Sequence, residues 1–221
     1  MMVLNPFQRH TRFIQGQQAA HSGGTARPLS GYDRMLMQLT EDQMRLKRIQ
    51  SQEKKAELKR QLLPAYAPWV AGVIAADGTH QDDVLMHVMV WRIDAGDYDG
   101  ALTIARHVLR HGWVMPKRYN RTTACTVAEE FADAAIRAFL ARQPFDAGLL
   151  QAALELTADD DMPDQSRARL HKSLGYAQRL ADCPVPALDN LRRALELDQR
   201  CGVKKDIEQL ERQLRNAGNG G

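Results

Sequence analysis

Apolar residues recur along this chain at spacings of three and four, and no stretch alternates with period two for more than a few positions, so the pattern predicts helices and no strands. Tyr32, Met35, Leu39, Leu46 and Ile49 make a coiled-coil-like stripe, interrupted by Asp42, in the first half of a long helix expected over residues 31–62. Its second half, SQEKKAELKRQ, loses the stripe and carries exposed charges instead. Pro64 and Pro68 punctuate the next segment, where Trp69, Val70, Val73 and Ile74 predict a short apolar helix stopping at Gly78. After it, Asp82 or Asp83 suits a helix N-cap, and Val84, Leu85, Val88, Met89, Trp91 and Ile93 supply a buried side. DAGD then turns the chain into an amphipathic helix closing at Gly112, and the two helices form an αα-hairpin. Further helices are expected at about 122–142, 146–158, 163–182, 185–200 and 202–215, with breaks at Pro144, Pro163, Pro184 with Pro186, and Gly202.

Near the carboxyl end Gly175, Ala187 and Ala194 stand at offsets of 12 and 19, which resembles the small-residue spacing of a tetratricopeptide repeat. GDYDGALTIARHVL, with Ala101, looks like half of another such unit. The expected architecture is all-α: a long amino-terminal coiled-coil-like helix followed by stacked helical hairpins, partly tetratricopeptide-like. Residues 1–30, rich in Gly, Gln, His and Ser, read as a mobile basic arm, 31–62 as the long basic helix, 63–215 as a helical core and 216–221 as a disordered tail.

Composition narrows the class. A chain of 221 residues with 44% hydrophobic and 26% charged residues makes one or two globular domains. No apolar run approaches the roughly 20 residues of a membrane span, and the polar opening lacks the apolar core of a secretory signal, so a soluble, unexported protein is expected. Cys125, Cys183 and Cys201 include no CxxC pair, which points away from a disulfide framework or zinc knuckle and fits a reducing cytoplasm. The net charge of +3 is unevenly spread: residues 1–60 hold 11 Lys/Arg against 5 Asp/Glu, and the remainder hold 19 against 22. Between Asp99 and Glu129 there is no carboxylate, yet Arg106, Arg110, Lys117, Arg118 and Arg121 fall there. Two basic patches raise the prospect of a polyanionic partner, against the plainer alternative of solvated helix faces.

Chemistry is sparse. Neither GxxxxGK[ST] nor GxGxxG occurs, which excludes a phosphate-cradling ATPase loop, and no cofactor is expected. His80, Asp82, Asp83 and His87 are the nearest approach to a metal-dependent nuclease cluster, with Asp83 and His87 four apart on one helix face. Helix capping by the aspartates and a histidine at the edge of the core explain the same residues. Asp159, Asp160 and Asp161 read as a helix entry, since the glycine and terminal glutamate of an EF-hand are missing. His107 and His111 share a face beside Arg106 and Arg110, a phosphate-facing patch or a metal pair.

The blocks NPFQRHTRFIQ, LLPAYAPWVAGVI, QDDVLMHVMVWRIDAGDYDGALTIARHVLRHGWVMPKRYNRT, LELTADDDMPDQSRARLHKSLGYA and GVKKDIEQLERQL together resemble the GpM-type small terminase subunit of temperate tailed phages and their prophages. The similarity runs from about residue 5 to 215, with the blocks in matching order and spacing. The resemblance implies a protein of the host cytoplasm that recognises the packaging site on double-stranded phage DNA and presents it to the terminase large subunit, the ATPase motor and usual nuclease. It also implies a homo-oligomer, often a ring, with no membrane partner. Members can carry a Lys/Arg-rich tail where this chain ends RNAGNGG, which would place more weight on the amino-terminal arm. The expected DNA contacts are Arg9 and Arg12 in the arm; Arg34, Arg45, Lys47, Arg48, Lys54, Lys55, Lys59 and Arg60 in the long helix; and Arg106, Arg110, Lys117, Arg118 and Arg121 as a second patch. Tyr32, Met35, Leu39, Leu46 and Ile49 are the expected oligomerisation seam. The competing readings are a metal-dependent endonuclease that cuts cohesive-end sites itself, and a DNA-independent helical-repeat adaptor for the large subunit.

Overall fold

The computed structural model describes residues 5–21, 30–117 and 119–218, which fold into ten helices with no strand among them. They divide between two compact units, residues 1–120 and 121–221. The first unit holds α1 (Pro6–His21), α2 (Gly31–Lys47), α3 (Gln52–Ala75), α4 (Asp83–Ala95) and α5 (Tyr98–Arg110). The second holds α6 (Thr123–Leu140), α7 (Ala147–Leu156), α8 (Asp164–Leu180), α9 (Pro184–Leu197) and α10 (Lys204–Gly218).

The α4–α5 hairpin forms as its sequence dictates. Asp82 caps α4 by accepting the Leu85 N–H at 3.0 Å. Gly96 ends α4 in the left-handed region (φ 86°), and Asp97 caps α5 by accepting the Gly100 N–H at 3.1 Å. The buried side of α4 is wider than its spacing suggests. Met86, His87 and Val90 are buried along with the expected residues, so α4 runs through the middle of the unit with apolar neighbours nearly all round. Tyr66 and Trp69 of α3 are fully buried beside it, Tyr66 edge-on to Trp91 at 5.8 Å and Trp69 stacked on Tyr32 at 6.1 Å.

Three expectations change in this unit. The helix expected over 31–62 is two helices, because the chain turns at Arg48–Ser51, where the Ser51 hydroxyl accepts the Lys54 N–H and starts α3 afresh. Pro64 and Pro68 do not stop a helix; both lie inside α3. They sit on its exposed or half-exposed side, while Leu62, Tyr66, Trp69, Val70 and Val73 carry one apolar stripe straight past them into the core. Burial of that stripe outweighs the missing amide donors. Part of the expected arm, Pro6–His21, is a helix packed on α3; residues 1–4 and 22–29 lie outside the described residues.

The α1–α3 packing depends on two glycines. A Cβ at Gly72 would stand 2.2 Å from the Phe13 carbonyl oxygen, and one at Gly16 would stand 2.7 Å from the Trp69 carbonyl oxygen. The backbones therefore meet with nothing between them. Gly72→Ala gains about 1 kcal/mol of helix propensity but drives a methyl group into backbone, an overpacking cost of about 1–3 kcal/mol. It is expected to push α1 away, and amide exchange over residues 6–21 should rise while exchange in α4 stays unchanged.

The expected seam of α2 is consumed inside the unit. Met35, Leu39 and Leu46 are buried, Ile49 is half-buried, and Tyr32 stacks on Trp69 and accepts the Asp83 N–H at 3.1 Å. α2 packs on α1, α3 and α4 of its own chain, so these five residues do not form an open coiled-coil stripe. Asp42, the polar break in the seam, is buried and accepts the Tyr66 hydroxyl at 2.8 Å and Arg45 at 3.0 Å. Met37 and Met44 are the large apolar side chains that α2 leaves exposed.

In the second unit α6 packs on α7 and α8, α7 on α8, α8 on α9, and α9 on α10. Ala187, Leu188, Leu191, Val203, Ile207 and Leu210 form the core of its last pair, where Leu195 and Leu214 pack as well. Gly175 lets α8 approach α9 closely, since a Cβ there would lie 2.8 Å from Leu191 Cδ2 and 3.1 Å from the Ala187 carbonyl oxygen. This close approach shows a packed helix pair and does not establish the tetratricopeptide-like repeat expected from the spacing. α10 continues helical to Gly218, and residues 219–221 lie outside the described residues.

Candidate nucleic-acid interface

The turn between α2 and α3 gathers cations. Lys47 ends α2, Arg48 caps it, and Lys54 and Lys55 stand in the first turn of α3. Lys47, Arg48 and Lys54 are exposed and Lys55 is half-exposed, and none of the four has an ion-pair partner among the described residues. Glu53 is the one carboxylate within residues 47–55. The first amides of α3 point out of the same turn, and a helix amino terminus carries partial positive charge. Ser51 takes the Lys54 and Lys55 N–H groups, and four cations around such a helix start are the arrangement that phosphate oxygens favour in general.

Other expected DNA contacts are engaged elsewhere. Arg12 is half-buried and donates to the Ala65 carbonyl of α3 at 2.7 Å. Arg45 pairs with Asp42 at 3.0 Å. Lys59 pairs with Asp94, and Arg60 donates to the Ala95 carbonyl at 3.1 Å, so together they fasten α3 to the end of α4. Lys59 and Arg60 therefore act in the fold. Lys59→Ala is expected to cost about 1–2 kcal/mol in urea unfolding, because it leaves a partly buried Asp94 unpaired, and to change DNA affinity by less than about twofold.

Arg9 and Arg34 are exposed. In the second patch Arg106 and Lys117 are exposed without a partner among the described residues, and Arg110 is paired with Asp77. Arg118 lies outside the described residues. Arg121 belongs to the second unit, where it stands 3.5 Å from Glu129 beside a cleft also lined by Ser166, Arg169 and Lys172. The cations of that cleft are largely answered within the unit: Arg169 meets Asp133 at 2.8 Å, and Lys172 donates to the Cys201 carbonyl at 2.6 Å.

The candidate metal cluster is used for structure. Asp82 is buried, with one carboxylate oxygen on the Leu85 N–H and the other accepting the Trp69 indole N–H at 2.8 Å; burial pushes its carboxyl up to about 6. The Asp83 carboxylate takes the Gln81 amide at 3.1 Å, and His87 Nδ1 lies 2.7 Å from the Asp83 carbonyl oxygen, back along its own helix. His80 is exposed. The ligand-type atoms that do converge among the described residues belong to Asp77, His107 and His111. The spacing of the two histidines signals their shared face, but Asp77 arrives from the α3–α4 turn and carries no local sign of its role. Asp159–Asp161 lie in the turn before α8, where the Asp160 carbonyl accepts Arg167 at 2.7 Å.

The described helices include none long and apolar enough to cross a membrane. Residues 36–165 match the family model described as phage small terminase subunit. The chain is 46% identical, over 96% of its length and 87% of the other's, to a protein of Escherichia phage P2 named "Terminase, endonuclease subunit". It is 22% identical, over 97% of its length and 79% of the other's, to one of Haemophilus phage HP1 (strain HP1c1) named "Probable terminase, endonuclease subunit". No solved structure matches it significantly.

Proposed function

Because this chain belongs to the phage small terminase subunit family, we propose that it recognises packaging-site DNA in the host cytoplasm and presents it to the large ATPase/nuclease subunit for cleavage and packaging into proheads. The observation that carries this reading is the α2–α3 turn, where Lys47, Arg48, Lys54 and Lys55 surround a helix amino terminus without partners among the described residues. In this reading the turn grips the phosphates of the duplex and sets the protein's position on it; such contacts hold register and do not read bases. Arg9, Arg34, Arg106 and Lys117 supply longer-range attraction, while Arg12, Arg45, Lys59 and Arg60 keep the turn in place. The active form is a homo-oligomer, and a ring suits a protein that must hold duplex DNA and face a motor. Its subunits meet through surfaces other than the buried stripe of α2, and the exposed Met37 and Met44 offer one such face.

The test is binding of the purified chain to a cohesive-end duplex and to a scrambled duplex over a range of salt, with the assembly mass recorded alongside. A multimer that prefers the cohesive-end duplex and weakens steeply with salt supports the proposal. Binding that is weak and indifferent to salt sinks it and favours the adaptor. The word "endonuclease" in both relatives' names favours a second reading, in which the chain cuts the site itself. Incubation with magnesium and the cohesive-end duplex, without the large subunit, separates the two: intact DNA is expected here, and specific nicking would establish the nuclease.

A further inference from the structure

We propose that Asp77, His107 and His111 form a binding site for a divalent transition metal of the zinc class. One oxygen of the Asp77 carboxylate lies 3.0 Å from His111 Nε2 and 3.8 Å from His107 Nδ1, and the three candidate ligand atoms all fall within 4.8 Å of one another. Ligands about 2.0–2.1 Å from a tetrahedral zinc ion stand roughly 3.4 Å apart, so these atoms need only small side-chain movements to close on one ion.

His107 is a buried imidazole whose polar contacts are loose. It is 3% exposed, and neither ring nitrogen makes a hydrogen bond of good geometry among the described residues: the Gly78 backbone offers one nitrogen a loose contact, and the Asp77 carboxylate stands 3.8 Å from Nδ1. Loose polar contacts cost a buried imidazole free energy, and a metal ion on one ring nitrogen would offset that cost while the other keeps its contact to the Gly78 backbone. The ring is held for that role: it meets Trp113 edge-on at 5.1 Å and His111 at 4.7 Å, and Trp113 is anchored by its indole N–H to the Thr79 carbonyl at 3.1 Å. Asp77 has a left-handed backbone (φ 47°), which aims its carboxylate from the α3–α4 turn at the end of α5. Both α3 and α5 end at this place, and helix carboxyl termini favour a cation.

Arg110 already pairs with Asp77, but both side chains are 62% exposed and the carboxylate has a second oxygen, so the pair can shift to make room. The carboxylate also separates a metal site from a phosphate site, since it would repel an anion placed between the histidines. Three protein ligands leave a fourth position for water. The ion would tie the α3–α4 turn to α5, and this assignment does not depend on the DNA-binding proposal.

The test uses the full chain stripped with chelator and titrated with zinc chloride against a chromogenic competitor, and separately with cobalt chloride followed by visible absorption. The expected result is one zinc per chain, a tetrahedral cobalt spectrum, and a rise in melting temperature of the zinc-loaded protein. Asp77→Asn and His111→Gln, checked for native circular dichroism without metal, should each weaken zinc binding by at least about tenfold. His80→Gln should leave it unchanged. Absence of stoichiometric binding, or binding that survives both Asp77→Asn and His111→Gln, would overturn the assignment.

Discussion

Replacing Lys47, Arg48, Lys54 and Lys55 together by alanine is expected to weaken duplex DNA binding by about 10²–10³-fold at physiological salt. Each cation that displaces a counterion from a phosphate contributes about 0.9 to the slope of log affinity against log salt, so four lost contacts flatten that slope by about 3 to 4. Extrapolated from molar salt to about 0.15 M, a change of that size gives the stated loss. The fold should survive, because the four side chains have no ion-pair partner among the described residues and alanine favours the start of α3. Filter binding or fluorescence anisotropy over salt checks both numbers. An unchanged slope would mean that phosphates lie against some other surface.

The second large effect is on stability. Asp82→Ala removes the cap of α4 and leaves the buried Trp69 indole N–H without its acceptor. Loss of a cap costs about 1 kcal/mol and an orphaned buried donor about 1–3 kcal/mol, so the first unit should lose about 2–4 kcal/mol. The readout is clean, since the three tryptophans Trp69, Trp91 and Trp113 all lie in that unit and their fluorescence during urea unfolding reports it alone.

The same variant has a signed pH dependence. Burial raises the Asp82 carboxyl to about 6 in the folded chain, above its ordinary value of about 3.9 when unfolded. Between those values the folded state holds the proton more tightly, so this group's stabilisation is greatest at low pH and is lost as pH rises through 6. The stability gap between the parent chain and Asp82→Ala should therefore narrow by about 1 kcal/mol from pH 5 to pH 7. A gap that widens over that range would show that the buried carboxyl does not titrate as its burial requires.

How much of this was legible in the sequence depended on how local each signal was. The α4–α5 hairpin could be read because Asp82, Gly96 and Asp97 act within a few residues of where they stand. α1 could not, because what docks it is the meeting of Gly16 with Gly72, two glycines from distant segments that each look like breakers alone. Pro64 and Pro68 misled for the converse reason: their local preference was outweighed by a stripe from Leu62 to Val73 whose burial is a tertiary fact. The break at Ser51 did leave a sign, a capping serine at the point where the apolar stripe fades.

The candidate interface divides in the same way. That residues 1–60 are basic is a count, but which cations remain available depends on acceptors elsewhere in the chain: Asp94 and the Ala95 carbonyl for Lys59 and Arg60, Ala65 for Arg12, Asp77 for Arg110. Only when those are satisfied does the α2–α3 turn stand out from the rest of the basic sequence. The metal assignment follows the same logic, with His107 and His111 marked by their spacing and Asp77 supplied by the fold.

The most direct test of the central claim is lysine footprinting of the full chain with and without a cohesive-end duplex, using an acetylating reagent and mass spectrometry. Lys47, Lys54 and Lys55 should lose reactivity on binding, while Lys204 and Lys205, exposed on α10, keep theirs. Saturating DNA that leaves Lys47, Lys54 and Lys55 as reactive as in the free protein would contradict the account.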